Sequence, residues 1–206
     1  MYEMKKNSFL CYNIEERMIK MDIKIGVSNR HIHLSNEDYE ILFGSTKIEK
    51  LKDLVQTGEF ASNLVVEIET EKAKIGKVRF LGPLRSYTQV EVSKTDCYAL
   101  GINAPVRASG DLDGAAEITI IGPCGKVTKN CAIIANRHLH LNPDDRVKLG
   151  LENIEKISVK VGNEKSAILN DIYIKETPNG VLELHLDTDD ANANLLKTGD
   201  IAEIIR

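Results

Sequence analysis

The stretch Asn29-Arg30-His31-Ile32-His33-Leu34 occurs a second time as Asn136-Arg137-His138-Leu139-His140-Leu141. Alternate side chains of an extended strand share a face. His31 and His33 therefore project together while Ile32 turns away, and His138 and His140 do the same around Leu139. The chain holds 5 histidines; four lie in these hexapeptides and the fifth, His185, stands in a strand-like run. A single His-x-His is most often a polar strand face beside a turn. Two near-identical copies that use nearly all the histidine point instead to metal binding. A catalytic zinc keeps three protein ligands and one open position, so each pair needs one further ligand, which spacing alone does not name.

Both hexapeptides sit in the same local layout. Residues 23–27 form an apolar strand into the first, and residues 131–135 into the second. Each is followed by a capped short helix: Ser35 with Glu37 and Asp38 in the first turn and Gly44 at the end, then Asn142 with Pro143 at the first helical position. Residues 65–68, 73–80, 88–92, 117–121, 157–161, 168–174, 181–187 and 201–205 read as further strands. Turn signals stand at Gly82-Pro83, Asp111–Gly114 and Asn179-Gly180, and residues 98–108 read as turn-rich. A last short helix is expected over residues 189–196, capped near Thr188. In the run before it Leu182, Leu184 and Leu186 face one way and Glu183, His185 and Asp187 the other. Many short strands with brief capping helices predict a mainly β protein built from barrels.

Composition narrows the function. With 42% hydrophobic residues in 206 there is enough apolar material for one large domain or two small ones, and with no Trp that core is aliphatic. A net charge of −4 without a basic stripe argues against nucleic acid, so an anionic ligand must meet local positive charge. No apolar run of about 18 residues offers a membrane span. The four cysteines, Cys11, Cys97, Cys124 and Cys131, match neither a zinc ribbon nor a disulfide framework and read as reduced thiols of a cytoplasmic protein. Gly122-Pro123-Cys124-Gly125-Lys126 lacks the spacing of a phosphate loop and reads as a hairpin turn. Residues 1–21 alternate apolar and charged side chains at roughly helical spacing, an amphipathic extension that either docks on a partner or is a frayed tail.

Taken together, Val27–Leu34, Leu81-Gly82-Pro83-Leu84-Arg85, Thr88-Gln89-Val90-Glu91-Val92-Ser93, the second hexapeptide and Leu184–Ala193 resemble the phosphate propanoyltransferases, phosphotransacylases associated with bacterial microcompartments. The resemblance runs from about residue 23 to the end. It implies two small β-barrels capped by short α-helices and related by an internal repeat: residues 22–29 with 136–206 as a first barrel and 30–135 as a second. It implies two zinc ions, one held by His31, His33 and Glu91 and the other by His138, His140 and His185. It implies Arg85 as the catalytic residue that handles phosphate, and Ser28, Lys52, Arg79, Leu81, His185 and Asn192 along coenzyme A. Residues 1–21 would meet shell or core proteins of a microcompartment, and a homo-oligomer is open. Ser62-Asn63 departs from the acidic pair expected after the Gly-x-Phe-Ala stretch.

The implied reaction interconverts a short acyl-CoA (propanoyl-CoA or acetyl-CoA) plus phosphate with acyl phosphate plus CoA, by direct attack of zinc-bound phosphate on the thioester. The alternatives are a zinc-dependent hydrolase of an ester, thioester or amide, which leaves the basic residues unexplained, and a binding module whose zinc only holds the fold.

Overall fold

The computed structural model describes residues 22–205 apart from Ser45; the amphipathic reading of residues 1–21 lies outside them. In chain order the elements are β1 (Ile23–Ser28), β2 (His31–His33), α1 (Asn36–Phe43), β3 (Lys50–Asp53), β4 (Phe60–Glu69), β5 (Lys74–Gly82), β6 (Gln89–Glu91) and α2 (Lys94–Leu100). Then come β7 (Val106–Arg107), β8 (Ala116–Ile121), β9 (Lys126–Ala135), β10 (His138–Leu141), α3 (Pro143–Lys148), β11 (Lys156–Val161), β12 (Ala167–Glu176), β13 (Glu183–Asp187), α4 (Thr188–Ala193) and β14 (Ile201–Ile205).

The strands close into two barrels, as the strand-rich pattern predicts. One runs β1-β13-β10-β12-β11-β14 and returns to β1, with Ile23 opposite Ala202. The other runs β4-β5-β2-β6-β9 and closes because β8 pairs with both β9 and β4; β3 and β7 extend it on either side. Closure pairs the ring strands on both sides and leaves the short β3 and β7 as edge strands.

The internal repeat extends to register. Strand β2 lies between β5 (parallel) and β6 (antiparallel), with His31 opposite both Arg79 and Glu91. Strand β10 lies between β12 (parallel) and β13 (antiparallel), with His138 opposite both Tyr173 and His185. Beyond these, β6 pairs in parallel with β9, and β13 with β1. So β1 precedes β2 in sequence but belongs to the barrel of β10, and β9 precedes β10 but belongs to the barrel of β2. The chain crosses between barrels at Asn29–Arg30 and again at Asn136–Arg137. Each hexapeptide is the crossing itself, which gives its first two residues a structural reason to recur.

Each crossing is tied down in the same way. Arg30 reaches Asp96 with its Nη2 at 2.7 Å, and Arg137 reaches Asp190 with its Nη2 at 2.6 Å. Asp96 and Asp190 are each the third residue after the N-caps Ser93 and Asp187 of α2 and α4. All four helix N-caps stand two residues beyond a strand histidine or glutamate: Ser35 after His33, Ser93 after Glu91, Asn142 after His140, Asp187 after His185. Each cap accepts a backbone N–H of its helix, fixing where the strand ends.

Each barrel has its own core, wholly aliphatic around Leu139 but, against the sequence expectation, joined by Tyr39, Phe43 and Phe80 around Ile32. Ile32 is fully buried in one, with Leu34, Phe43 and Phe80; Leu139 is fully buried in the other, with Leu141, Ile25 and Leu184. Burial of these central residues turns the flanking imidazoles away from the cores.

Some elements differ from the sequence reading. Residues 98–108 hold the end of α2 and the strand β7 rather than turns alone. Helix α2 escapes periodicity because Lys-Thr-Asp-Cys-Tyr carries few apolar residues; its signal is the capping box of Ser93 and Asp96. Helix α4 is capped by Asp187 and ends at Ala193. Ser62, in place of an acidic residue, is fully buried at a register shift of β4. Its hydroxyl donates to Phe80 O at 2.8 Å and accepts from Leu64 N at 3.1 Å, a site that suits a small hydroxyl.

Candidate metal centres in the cavity between the barrels

The repeated register assembles two sets of three side chains. His31, His33 and Glu91 form one, His138, His140 and His185 the other, and within each the candidate ligand atoms lie within 4.8 Å of one another. Glu91 and His185 occupy equivalent places in the two barrels. The sequence had brought out both pairs and His185 as an orphan; strand pairing is what supplies the partners.

Backbone carbonyls orient the rings. Nδ1 of His31 lies 2.8 Å from Asn29 O, Nδ1 of His138 lies 2.8 Å from Asn136 O, and Nδ1 of His33 lies 3.0 Å from Leu81 O. A carbonyl only accepts, so each Nδ1 carries the proton and each neutral ring keeps its Nε2 lone pair. Nε2 of His138 and Nε2 of His140 stand 3.1 Å apart. Nδ1 of His140 is buried with no hydrogen-bond partner among the described residues. Converging imidazole lone pairs, carbonyl-fixed tautomers and an unpartnered buried nitrogen fit a divalent cation of the zinc type, with three nitrogens in one set and two nitrogens plus a carboxylate in the other.

Electrostatics divides the sets. Burial pushes the His31 imidazole down, but the Glu91 carboxylate at 3.4 Å outweighs it and the net shift is upward. For Glu91, burial pushes up and loses to the charge and hydrogen bond of His31, which hold the carboxyl well below the usual range. Burial, then the charges of His31 and Arg85, bring His33 down to about 3. Burial, then Lys175 and His185, bring His138 down to about 4. Burial, then His185 and His138, bring His140 down to about 2.

Both sets line one cavity, together with Arg85, Glu59, Ser109 and Lys175. Arg85 is held from several sides: its Nη1 donates to Tyr87 Oη at 3.0 Å and Ser109 Oγ at 3.1 Å, and its Nη2 to Glu59 Oε1 at 3.1 Å. Its backbone N–H donates to Leu34 O at 2.8 Å, which ties the arginine to the end of the first hexapeptide.

A second groove adjoins the cavity. Ser28, Lys52, Arg79, Leu81 and His185 line it, and Ser28, Leu81 and His185 line the cavity as well. Arg79 donates to Ser62 O at 2.6 Å. Asn192 lies exposed on α4 and lines neither space. Sequence reasoning missed Glu59, Gln89, Ser109, Lys175 and the role of Glu183. Of these, Gln89 and Glu183 carried a signal, each lying two residues before Glu91 or His185 on the same strand face.

The fold and site together define a class: a fused pair of six-stranded barrels with two candidate metal centres facing one cavity. The chain belongs to the phosphate propanoyltransferase family, a family of acyltransferases, whose model matches residues 24–197. Relatives bearing the name phosphate propanoyltransferase include one from Thermotoga maritima, 46% identical over 187 residues, covering 89% of this chain and 89% of that one. One from Rhodopseudomonas palustris is 43% identical over 186 residues, covering 89% and 82%. One from Salmonella typhimurium is 42% identical over 180 residues, covering 86% of each. No helix among the described residues is long and apolar enough to cross a membrane.

Proposed function

We propose that the protein is a phosphate acyltransferase that interconverts a short acyl-CoA, propanoyl-CoA or acetyl-CoA, and phosphate with acyl phosphate and CoA. The observation that carries this reading is the opening of both three-ligand sets and Arg85 into a single cavity. His31, His33 and Glu91 would hold one zinc ion and His138, His140 and His185 another; bound zinc would supply Lewis-acid polarisation and a template for oxyanions.

The chain's own residues then divide the work. Arg85 presents a planar guanidinium fork that matches phosphate oxygens, and its bond to Glu59 must open for the anion to enter. A phosphate oxygen bonds to the acyl carbon, the carbon–sulfur bond breaks, and the proton of hydrogen phosphate passes to the departing CoA thiolate. The Arg85 charge stabilises the oxyanion that develops at the carbonyl. Ser28, Lys52, Arg79, Leu81 and Asn192 are proposed to meet coenzyme A, which would lie along the groove and present its thioester near His185. No cysteine lines the cavity, in keeping with direct transfer.

Residues 1–21 are proposed to address the enzyme to a bacterial microcompartment. The decisive experiment combines metal analysis with thiol release from propanoyl-CoA and acetyl-CoA, with and without phosphate. Thiol release that requires phosphate, in a protein that carries about two zinc ions, is expected. Release without phosphate would identify a hydrolase and overturn the reading.

A further inference from the structure

Lys175 belongs to neither candidate ligand set, yet it faces the same cavity. It lies on β12, opposite His140 of β10, and lines the cavity with both ligand sets and Arg85. The other cations of that cavity are matched: Arg30 with Asp96, and Arg85 with Glu59, Tyr87 and Ser109. The Lys175 ammonium makes no hydrogen bond or ion pair to any described residue. Burial pushes its amine down from the ordinary lysine range, against the pull of Glu91 and Glu59.

A half-buried ammonium without a partner is a net cost to folding. The fold does not need it. In the other barrel Leu81 follows the β5 residues paired with His31 and Ile32, and its carbonyl oxygen lies 3.0 Å from Nδ1 of His33, where Lys175 stands beside His140. A leucine serves there, so the cation at 175 is explained by a ligand rather than by the architecture.

Position decides which ligand. Lys175 lines the cavity but not the adjoining groove, so it addresses the phosphoryl end of the reaction rather than the length of coenzyme A. Arg85 offers a rigid fork, whereas a lysine offers a compact point charge with three donors. Resting on the phosphotransacylase reading, we propose that Lys175 is a second substrate-binding cation, which grips phosphate and the phosphoryl group of acyl phosphate jointly with Arg85. Loss of one charge-assisted contact lowers anion affinity about tenfold or more.

The test uses the zinc-loaded full chain, Lys175→Met and Lys175→Arg, with Lys175→Gln should the methionine variant prove insoluble. Initial rates are measured against phosphate at saturating propanoyl-CoA and against propanoyl-CoA at saturating phosphate. Binding of inorganic phosphate alone is followed by calorimetry, with zinc content alongside. For Lys175→Met we expect the KM and Kd for phosphate to rise about tenfold or more. The KM for propanoyl-CoA and the zinc content should stay at wild-type values, and Lys175→Arg should recover most of the loss. Wild-type phosphate affinity in Lys175→Met, or a rise confined to the KM for propanoyl-CoA, overturns the proposal. A wild type that releases no thiol sinks the transfer reading instead, while the calorimetric comparison still decides whether Lys175 is an anion site.

Discussion

Glu183 Oε2 stands 2.6 Å from His185 Nε2, two residues along the same strand face. The other barrel repeats the relationship with different chemistry: Gln89 Nε2 donates to Glu91 Oε1 at 2.7 Å. Gln89 and Glu183 are equivalent by register, each opposite the second histidine of a hexapeptide. The third candidate ligand of each set is thus oriented by the residue two before it. Room for Glu183 comes from Gly26, where a Cβ would lie 2.8 Å from the Glu183 carboxyl carbon.

Glu183→Ala should therefore weaken metal binding at the three-histidine set, on the order of 10–100-fold, while the set containing Glu91 keeps its metal. Gly26→Ala should act in the same direction by displacing the carboxylate. Competition with a chromophoric chelator reads both affinities. Two unchanged affinities in Glu183→Ala would show that His185 needs no such partner.

Arg85→Ala should lower kcat by about 10²–10³, the loss typical of removing one oxyanion-stabilising donor, with zinc content unchanged. Glu59→Gln releases the guanidinium from its carboxylate and should lower the KM for phosphate. Steady-state rates with metal analysis on the same samples check both. If Arg85→Ala sheds zinc together with activity, the arginine is holding the site up rather than acting on substrate.

How much of this was legible beforehand follows from the range of each signal. Period-two spacing placed His31 with His33 and His138 with His140, because a strand fixes i and i+2 locally. Caps at Ser35 and Asn142 and the Asn179-Gly180 turn were local too. The pairing of His31 with Glu91 and of His138 with His185 is a matter of strand register, which no local pattern encodes. The same holds for the exchange of β1 and β9 between barrels. Lys175 reads as an ordinary strand lysine until β12 is laid beside β10. Resemblance to a family named the two candidate ligand sets, and strand pairing brings the side chains of each together.

The thiols bear on mechanism. Cys97 and Cys131 are buried; burial pushes both up, Cys131 to about 12. Neither supplies a thiolate near neutral pH, whereas Cys124 is exposed. Alkylation of the native protein at pH 8 should therefore modify Cys124 and spare Cys97 and Cys131, with phosphate-dependent turnover retained. Peptide mapping after labelling locates the adducts. Inactivation that tracks labelling of Cys131 would argue for a covalent acyl-enzyme.

Acid should expose the balance inside the metal-free site. His33, His138 and His140 have folded values of about 3, 4 and 2, below the unfolded value of about 6.5. Above that pH they are neutral in both states and contribute no pH dependence. As pH falls from about 6.5, the unfolded chain binds protons that the folded chain refuses, so stability drops towards the folded values. His31 runs the other way: its value is raised, so its contribution is full below about 6.5 and is lost as pH rises through the folded value. Three depressed imidazoles against one raised predict net proton uptake on unfolding between about pH 6.5 and 4.5. The denaturant midpoint of chelator-treated protein should accordingly fall from pH 7 to pH 5. His140→Gln should flatten the slope, because one proton-accepting imidazole is removed from the unfolded chain. A midpoint that holds steady or rises over that range would mean the rings are charged, or open to water, in the folded protein.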